Sequence, residues 1–244
     1  FFNNSQDLAD LSFGKAIKQF YADEGIESFL AEQEETPTGT AGIVVNKAGQ
    51  NEIIVAPGAN EKLSPADIPG NLIRGAKVVI CARREEHLMQ TAENLRKETA
   101  GSVRGISADV CVPEDCLRLI DQTAQEFGGI DILINNAGKS AALGLEELSD
   151  EAWQEDLELK LMGAVRMCRG VVPHMRKRGG GSIVNASTGA GKAPGSMALP
   201  TSVSRAAGNN LTKSLANELA SDGIRVNAVC IGLIKSAQWE GHSG

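Results

Sequence analysis

Residues 77–138 read KVVICARREEHLMQTAENLRKETAGSVRGISADVCVPEDCLRLIDQTAQEFGGIDILINNAG, and this stretch decides the fold. Its apolar runs, KVVICA (77–82), RGISADV (104–110) and IDILINNAG (130–138), are short and β-branched without strict alternation. Each therefore reads as a strand buried on both faces. Between them, 85–99 and 113–127 have the length and spacing of amphipathic helices. The alternation continues through 150–178, SIVNAST (182–188), 201–221 and IRVNAVCIG (224–232). In 201–221 the apolar residues Ala207, Leu211, Leu215 and Leu219 recur every fourth position, and Gly223 supplies a stop. Strand and helix repeated in this way predict an α/β fold, a doubly wound, Rossmann-like parallel sheet of five strands with right-handed crossovers.

Residues 1–75 follow another pattern. A helical stretch near 7–24 precedes TAGIVVN (40–46) and NEIIVAPG (51–58), which flank the turn residues KAGQ and read as a β-hairpin. In SPADIPGNLIRG, Ser64 before Pro65 has the form of a helix start that Pro69 and Gly70 would end early. Charge breaks at the same place. Residues 1–70 hold four basic residues (Lys15, Lys18, Lys47, Lys62) against eleven acidic ones, while from residue 71 on the two signs balance. No low-complexity linker separates the parts. The sequence thus divides at 75, into a helix-plus-hairpin segment (1–75) and an α/β domain (76–244).

Composition narrows the function classes. Apolar residues at 42% and charged residues at 23% are ordinary for a globular chain of 244 residues. The net charge of −7 argues against a nucleic-acid partner. No apolar run is long enough for a membrane span, and the opening FFNNSQDLAD lacks the form of a secretory signal, so the expected compartment is the cytoplasm. Cys81, Cys111, Cys116, Cys168 and Cys230 are scattered, without metal-ligand spacing, which fits reduced thiols. His87, His174 and His242 are isolated, and no metal site is expected.

NNAG (135–138) closing one strand, ADV (108–110) closing the one before, and the late IRVNAVCIG together resemble the short-chain dehydrogenase/reductase family over residues 76–244. The resemblance implies a nicotinamide dinucleotide across the carboxyl ends of the strands. It places Arg83 and Arg84 near the adenosine 2′-position, where two guanidinium groups would favour a phosphate and hence NADP; a solvated pair at a helix start is the plain alternative. It further puts Asp109 and Val110 at the adenine, Asn136, Ala137 and Gly138 at the ribose, and Ile231, Gly232 and Ile234 at the nicotinamide. Ordinary strand-end packing is the alternative for each. Pairing of copies through 150–178 and 201–221 is implied as well.

The first part resembles a different family. SFGKAIKQF, EGIESF, TPTGTAGIVVN, GQNEIIVAPGAN and LSPADI occur in the order seen in ribokinase-type sugar kinases, where such a hairpin belongs to a lid. The two resemblances meet at GAKVV (75–79), as a crossover between two ancestral sequences would make them. The kinase family's anion hole and catalytic Asp have no counterpart here.

Against the dehydrogenase pattern, two structural parts and four side chains depart. Nothing before Gly75 supplies the first strand and Gly-rich turn that let backbone amides meet a pyrophosphate. Ile53–Ala56 could stand in for the strand, but APGAN has one glycine where the fingerprint needs three. The sequence reaches Gly244 soon after 224–232, before the substrate-covering segment and last strand that the resemblance leads one to expect. The family's catalytic Ser, Tyr, Lys and Asn fall on Thr188, Thr201, Arg205 and Lys160, and the sole tyrosine of the chain is Tyr21. An aliphatic hydroxyl at Thr201 is a far weaker acid than a phenol, and Arg205 does not release its proton. Lys160, whose pKa burial can bring toward neutrality, is the candidate acid unless it is simply structural. GAGKA (189–193) lacks the spacing of a phosphate loop. Arg176, Lys177 and Arg178 read as the cationic end of a helix.

The sequence therefore points first to an NADP-linked oxidoreductase acting on a small alcohol or carbonyl, with atypical or lost catalysis. A non-catalytic nucleotide-binding or structural domain is the second reading, and a fragment of a sugar kinase the third.

Overall fold

The computed structural model describes residues 12–23, 25, 40–45, 51–56, 75–99 and 101–231. It divides into two units, Phe1–Ala76 and Lys77–Gly244. The first contains helix α1 (Ser12–Asp23) and an antiparallel pair, β1 (Thr40–Val45) with β2 (Asn51–Ala56). Thr40 lies opposite Ala56 and Val45 opposite Asn51, the expected hairpin. The helix start expected at Ser64 lies outside the described residues.

In the second unit β3 (Lys77–Ala82), α2 (Glu85–Thr99), β4 (Ser102–Ser107), α3 (Pro113–Phe127) and β5 (Ile132–Asn135) follow one another. Then come α4 (Asp150–Leu157), α5 (Gly163–Arg178), β6 (Gly181–Thr188), α6 (Thr201–Leu219) and β7 (Ile224–Ile231). Strands β3 and β4 pair in parallel, as do β5 with β6 and β6 with β7. Local signals set the boundaries. Helix α3 begins on Pro113 after an extended Val112, and ends at Gly128, whose φ of 78° suits a residue without Cβ. Strand β4 ends at Ser107, short of the 104–110 read from sequence, because Asp109 leaves the ladder. Its N–H donates to Asp115 Oδ2 (2.8 Å), and its Oδ1 accepts from Cys111 N (2.9 Å).

The five strands form two ladders, β3–β4 and β5–β6–β7, instead of the single sheet expected. Among the described residues no strand hydrogen-bonds to the second edge of β3 or β5, and β2 is engaged with β1. One core nevertheless spans both ladders: Ile106 of β4 and Ala108 just after it cluster with Leu133, Ile183 and Val226 and with Leu119, Ile120, Val171 and Met175 of the helices. The other face of β5 is exposed among the described residues. Leu133 is 9% exposed while its neighbours Ile132 and Ile134 are 64% and 65% exposed, an unusual state for a parallel strand.

Helix 150–178 is not continuous. Between α4 and α5 the turn Glu158–Met162 is π-helical, a widening that inserts one residue and redirects the side chains it carries. The last turn of α5 is charged as expected, and two of its cations find anions: Arg176 pairs with Asp222 (2.8 Å) and Arg178 with Asp131 (2.9 Å).

Candidate active site

In parallel sheets the strands share a direction, so their carboxyl ends and the helix starts that follow collect on one rim. There β5 delivers Asn136–Gly138, β6 delivers Thr188, and the first turns of α6 deliver Thr201, Ser204 and Arg205. The ladder register sets Thr188 beside Ile231. The π turn adds Lys160.

Lys160 is the centre of this group. Its side chain is fully buried, and its Nζ donates to Asp156 Oδ1 and, at 2.8 Å, to Thr201 Oγ1. The same hydroxyl oxygen accepts from Ala141 N–H (3.3 Å). With both lone pairs of Thr201 occupied, its own O–H is the group left to donate outward. Asp156 is wholly buried, and its second oxygen accepts from Ser204 Oγ at 2.6 Å. Burial pushes the Lys160 pKa below the usual lysine value; Asp156 opposes that shift, and Arg205 and Lys139 add to it.

Arg205 donates from Nη1 to the Ala186 carbonyl (2.6 Å). Its other nitrogen, Nη2, comes so near Gly138 that a Cβ there would stand 2.6 Å away, so a larger residue at 138 would have to push the guanidinium aside. A Cβ on Gly138 would also touch Lys160 Cγ at 3.9 Å. Lys160, Thr201, Arg205 and Gly138 thus converge, and Thr188 lies on the same rim with its Oγ1 buried and without a hydrogen-bond partner. Arg205 Nε is likewise unpartnered. Burial also lowers the Arg205 pKa.

The residues expected around an adenosine lie at the ends of β3 and β4. Arg83 is exposed and reaches Asp109 at 3.8 Å. The Arg84 carbonyl accepts the first turn of α2 from Leu88 N. Val110 packs against Gly163 at the start of α5, where a Cβ would meet Val110 Cγ2 at 3.1 Å. Asn136, Ala137 and Gly138 are exposed. Gly232 and Ile234 lie outside the described residues. Among the described residues no cluster of His, Cys, Asp and Glu could hold a metal ion, and no helix is long and apolar enough to cross a membrane.

The sequence reading missed Asp156 and Ser204. The i, i+4 spacing of Asp156 and Lys160 was a signal, but on a helix it describes a solvated ion pair equally well. The spacing from Asp156 to Ser204 carries no pattern.

Two orphaned atoms, Thr188 Oγ1 and Arg205 Nε, beside an exposed Asn136–Gly138 backbone form a polar rim with hydrogen-bonding capacity to spare. This fits a ribose and carboxamide, and the exposed Arg83 fits a phosphate.

A family model described as short chain dehydrogenase matches residues 71–243. The dehydrogenase/reductase SDR family member 4 of Caenorhabditis elegans is 34% identical over 198 residues, 79% of this chain and 76% of that protein. Against the mammalian proteins of the same description the chain covers between 58% and 65% of their length. Among solved structures, L-sorbose reductase from Gluconobacter frateurii, complexed with NADPH and L-sorbose, is 37% identical with a TM-score of 0.67, covering 69% of this chain and 64% of that one. An NADPH-bound short chain oxidoreductase from Pseudomonas aeruginosa PAO1, described as containing an atypical catalytic center, is 32% identical with a TM-score of 0.67, covering 70% and 67%.

Proposed function

Because the chain belongs to the short chain dehydrogenase family, we propose that it is an NADP-linked oxidoreductase acting on a small alcohol or carbonyl through an atypical proton donor. The observation that carries this reading is the bond from Lys160 Nζ to Thr201 Oγ1. Carbonyl reduction needs a hydride and a proton. A reduced nicotinamide bound along the rim would supply the hydride; this chain must supply the proton.

Lys160 is sealed behind Thr201, so no substrate touches its ammonium. The Thr201 hydroxyl is the accessible end of the pair. In this reading its O–H donates to the oxygen of the reacting carbonyl while Lys160 N–H donates to Thr201 Oγ1. One proton leaves the ammonium and one reaches the alcohol, and a solvent proton then returns to the lysine through the Thr201 hydroxyl. Thr188 Oγ1 and Arg205 Nε are buried without partners, so they would serve a carbonyl oxygen or a ribose hydroxyl only after neighbouring side chains move aside. Arg83 and Arg84 would hold a 2′-phosphate, Asp109 and Val110 would border the adenine, and Asn136, Ala137, Gly138 and Ile231 would face the ribose and nicotinamide.

Calorimetric titration and a turnover assay test this together. NADPH should bind more tightly than NADH, though weakly for the family, since the sequence before β3 offers APGAN, with one glycine, where the fingerprint needs three. NADPH oxidation should then follow on adding small ketones or ketoses. Equal binding of the two dinucleotides overturns the role given to the arginines. Binding with no turnover on any carbonyl would leave the second reading, a nucleotide-binding domain.

A further inference from the structure

Asp156 lies outside every residue expected to bind or react, yet it is among the most completely buried polar groups in the described chain. An ionised carboxylate is retained in such a place only when its oxygens are matched by donors. Both are matched: one accepts from Lys160 Nζ, the other from Ser204 Oγ at 2.6 Å. Ser204 itself also reaches back to the Thr201 carbonyl at 3.1 Å. The four residues therefore form a loop, Asp156 to Lys160 to Thr201 to Ser204, with the single Ser204 hydroxyl proton shared between Asp156 and the Thr201 carbonyl, tying the π turn to the first turn of α6. A lysine has four rotatable bonds and would point freely without such an anchor. Here its ammonium is held by a carboxylate on one side and aimed at a hydroxyl on the other.

We infer that Asp156 is a positioning residue of the site: anchored by Ser204, its carboxylate fixes the Lys160 ammonium against Thr201 and keeps that ammonium charged in a dry place. The inference rests on the reading of Lys160 and Thr201 as the proton route. The charged groups that face Lys160 are Asp156 on α4, Arg205 on α6 and Lys139 in the segment after β5. Only the first is an anion, so the other two and burial all favour loss of the proton. Reduction needs the charged lysine, and its rate should fall as pH rises through the Lys160 pKa. Removing the Asp156 charge brings that fall to lower pH. The reverse reaction, which needs a neutral lysine, should gain over the same interval.

The test compares the full chain with Asp156→Asn, Asp156→Glu and Ser204→Ala. Three quantities are read: NADPH affinity by fluorescence titration, kcat and KM for carbonyl reduction across pH, and the titration of Lys160 by ¹⁵Nζ NMR, assigned by its loss in Lys160→Met. In Asp156→Asn, kcat should fall on the order of 10²-fold, with KM and NADPH affinity little changed. The basic limb of kcat and the Lys160 titration should move down together by roughly one to three pH units. Asp156→Glu should restore part of both, and Ser204→Ala should shift them less, in the same direction. A loss equal at every pH, with the Lys160 titration unmoved, makes Asp156 a merely structural residue and overturns the inference. Should Asp156→Asn not fold, Ser204→Ala decides by the same criteria. If the parent chain turns over no carbonyl, the functional reading fails, while the NMR arm still decides whether Asp156 sets the state of Lys160.

Discussion

Lys160 Nζ stands 2.8 Å from Thr201 Oγ1, and the two residues come from different helices, α6 and the π turn that ends α4. The contact places a cationic donor behind a hydroxyl that is too weak an acid to act alone. Replacing Thr201 by Val removes the hydroxyl while keeping the branched shape. Turnover should fall by about 10²–10⁴-fold, the usual worth of positioned acid–base catalysis, with NADPH affinity retained in a fluorescence titration. Thr201→Ser should keep most of the activity. Full activity in Thr201→Val would remove the hydroxyl from the mechanism.

Lys160→Met leaves the Asp156 carboxylate buried without its cation. Breaking a buried pair from one side costs about 3–5 kcal/mol, so the urea midpoint should drop markedly. Adding Asp156→Asn in the same chain removes the stranded charge and should recover most of that stability, with no recovery of turnover. A single variant as stable as the parent would mean the pair is not desolvated as the structure has it.

The helices and strands from 77 on were legible because each carries its own signal: β-branched runs for strands, four-residue apolar spacing for helices, Pro113 and Gly128 for the ends of α3. Thr188, Thr201, Arg205 and Lys160 were singled out as candidates by counting along a family pattern, and the structure brings them to one rim. What escaped was tertiary. The π turn changes the facing of Lys160 by one inserted residue, and no local composition announces it. Asp156 and Ser204 meet across 48 positions, and their partnership exists only once α4 and α6 pack. The split of the sheet also lay beyond periodicity. KVVICA and IDILINNAG each read as a buried strand, and their patterns carry nothing about which strands they pair with.

That split makes a prediction about β5, whose two faces should respond oppositely to substitution. Leu133 lies in the common core, and Leu133→Ala should cost about 2–5 kcal/mol in a urea titration. Ile134 is 65% exposed, so Ile134→Thr should leave the midpoint within about 0.5 kcal/mol and lower aggregation measured by light scattering. A large loss at Ile134 would show that its face is covered in solution.

In the proposed function, the choice between the two dinucleotides would fall to the ends of β3 and β4. Arg83 is held only loosely, 3.8 Å from Asp109 and 73% exposed, so it can turn to a phosphate at little cost. A charge-assisted hydrogen bond contributes about 1.5–3 kcal/mol. The joint variant Arg83→Ala, Arg84→Ala should therefore weaken NADPH by about tenfold or more by calorimetry, with NADH affected far less. Parallel weakening of both dinucleotides would assign the arginines to a contact the two share.

Installing the phenol and lysine that the family resemblance implies, by Thr201→Tyr with Arg205→Lys, should lower turnover. A phenol at 201 is bulkier than the hydroxyl that Lys160 and Ala141 now hold, and it cannot enter the loop through Asp156 and Ser204 without displacing one of them. Lysine at 205 loses the bond that Arg205 Nη1 makes to the Ala186 carbonyl at 2.6 Å and leaves space beside Gly138, where the guanidinium now sits. Each change trades a satisfied contact for an unsatisfied one, and the Lys160 ammonium would face the new lysine across a dry gap with Asp156 as the sole anion between them. The midpoint of thermal unfolding should fall, and ketone reduction at neutral pH should stay at or below the parent rate. A tenfold gain instead would mean that the rim still accepts a phenolic donor and that Lys160 and Thr201 are not the proton route.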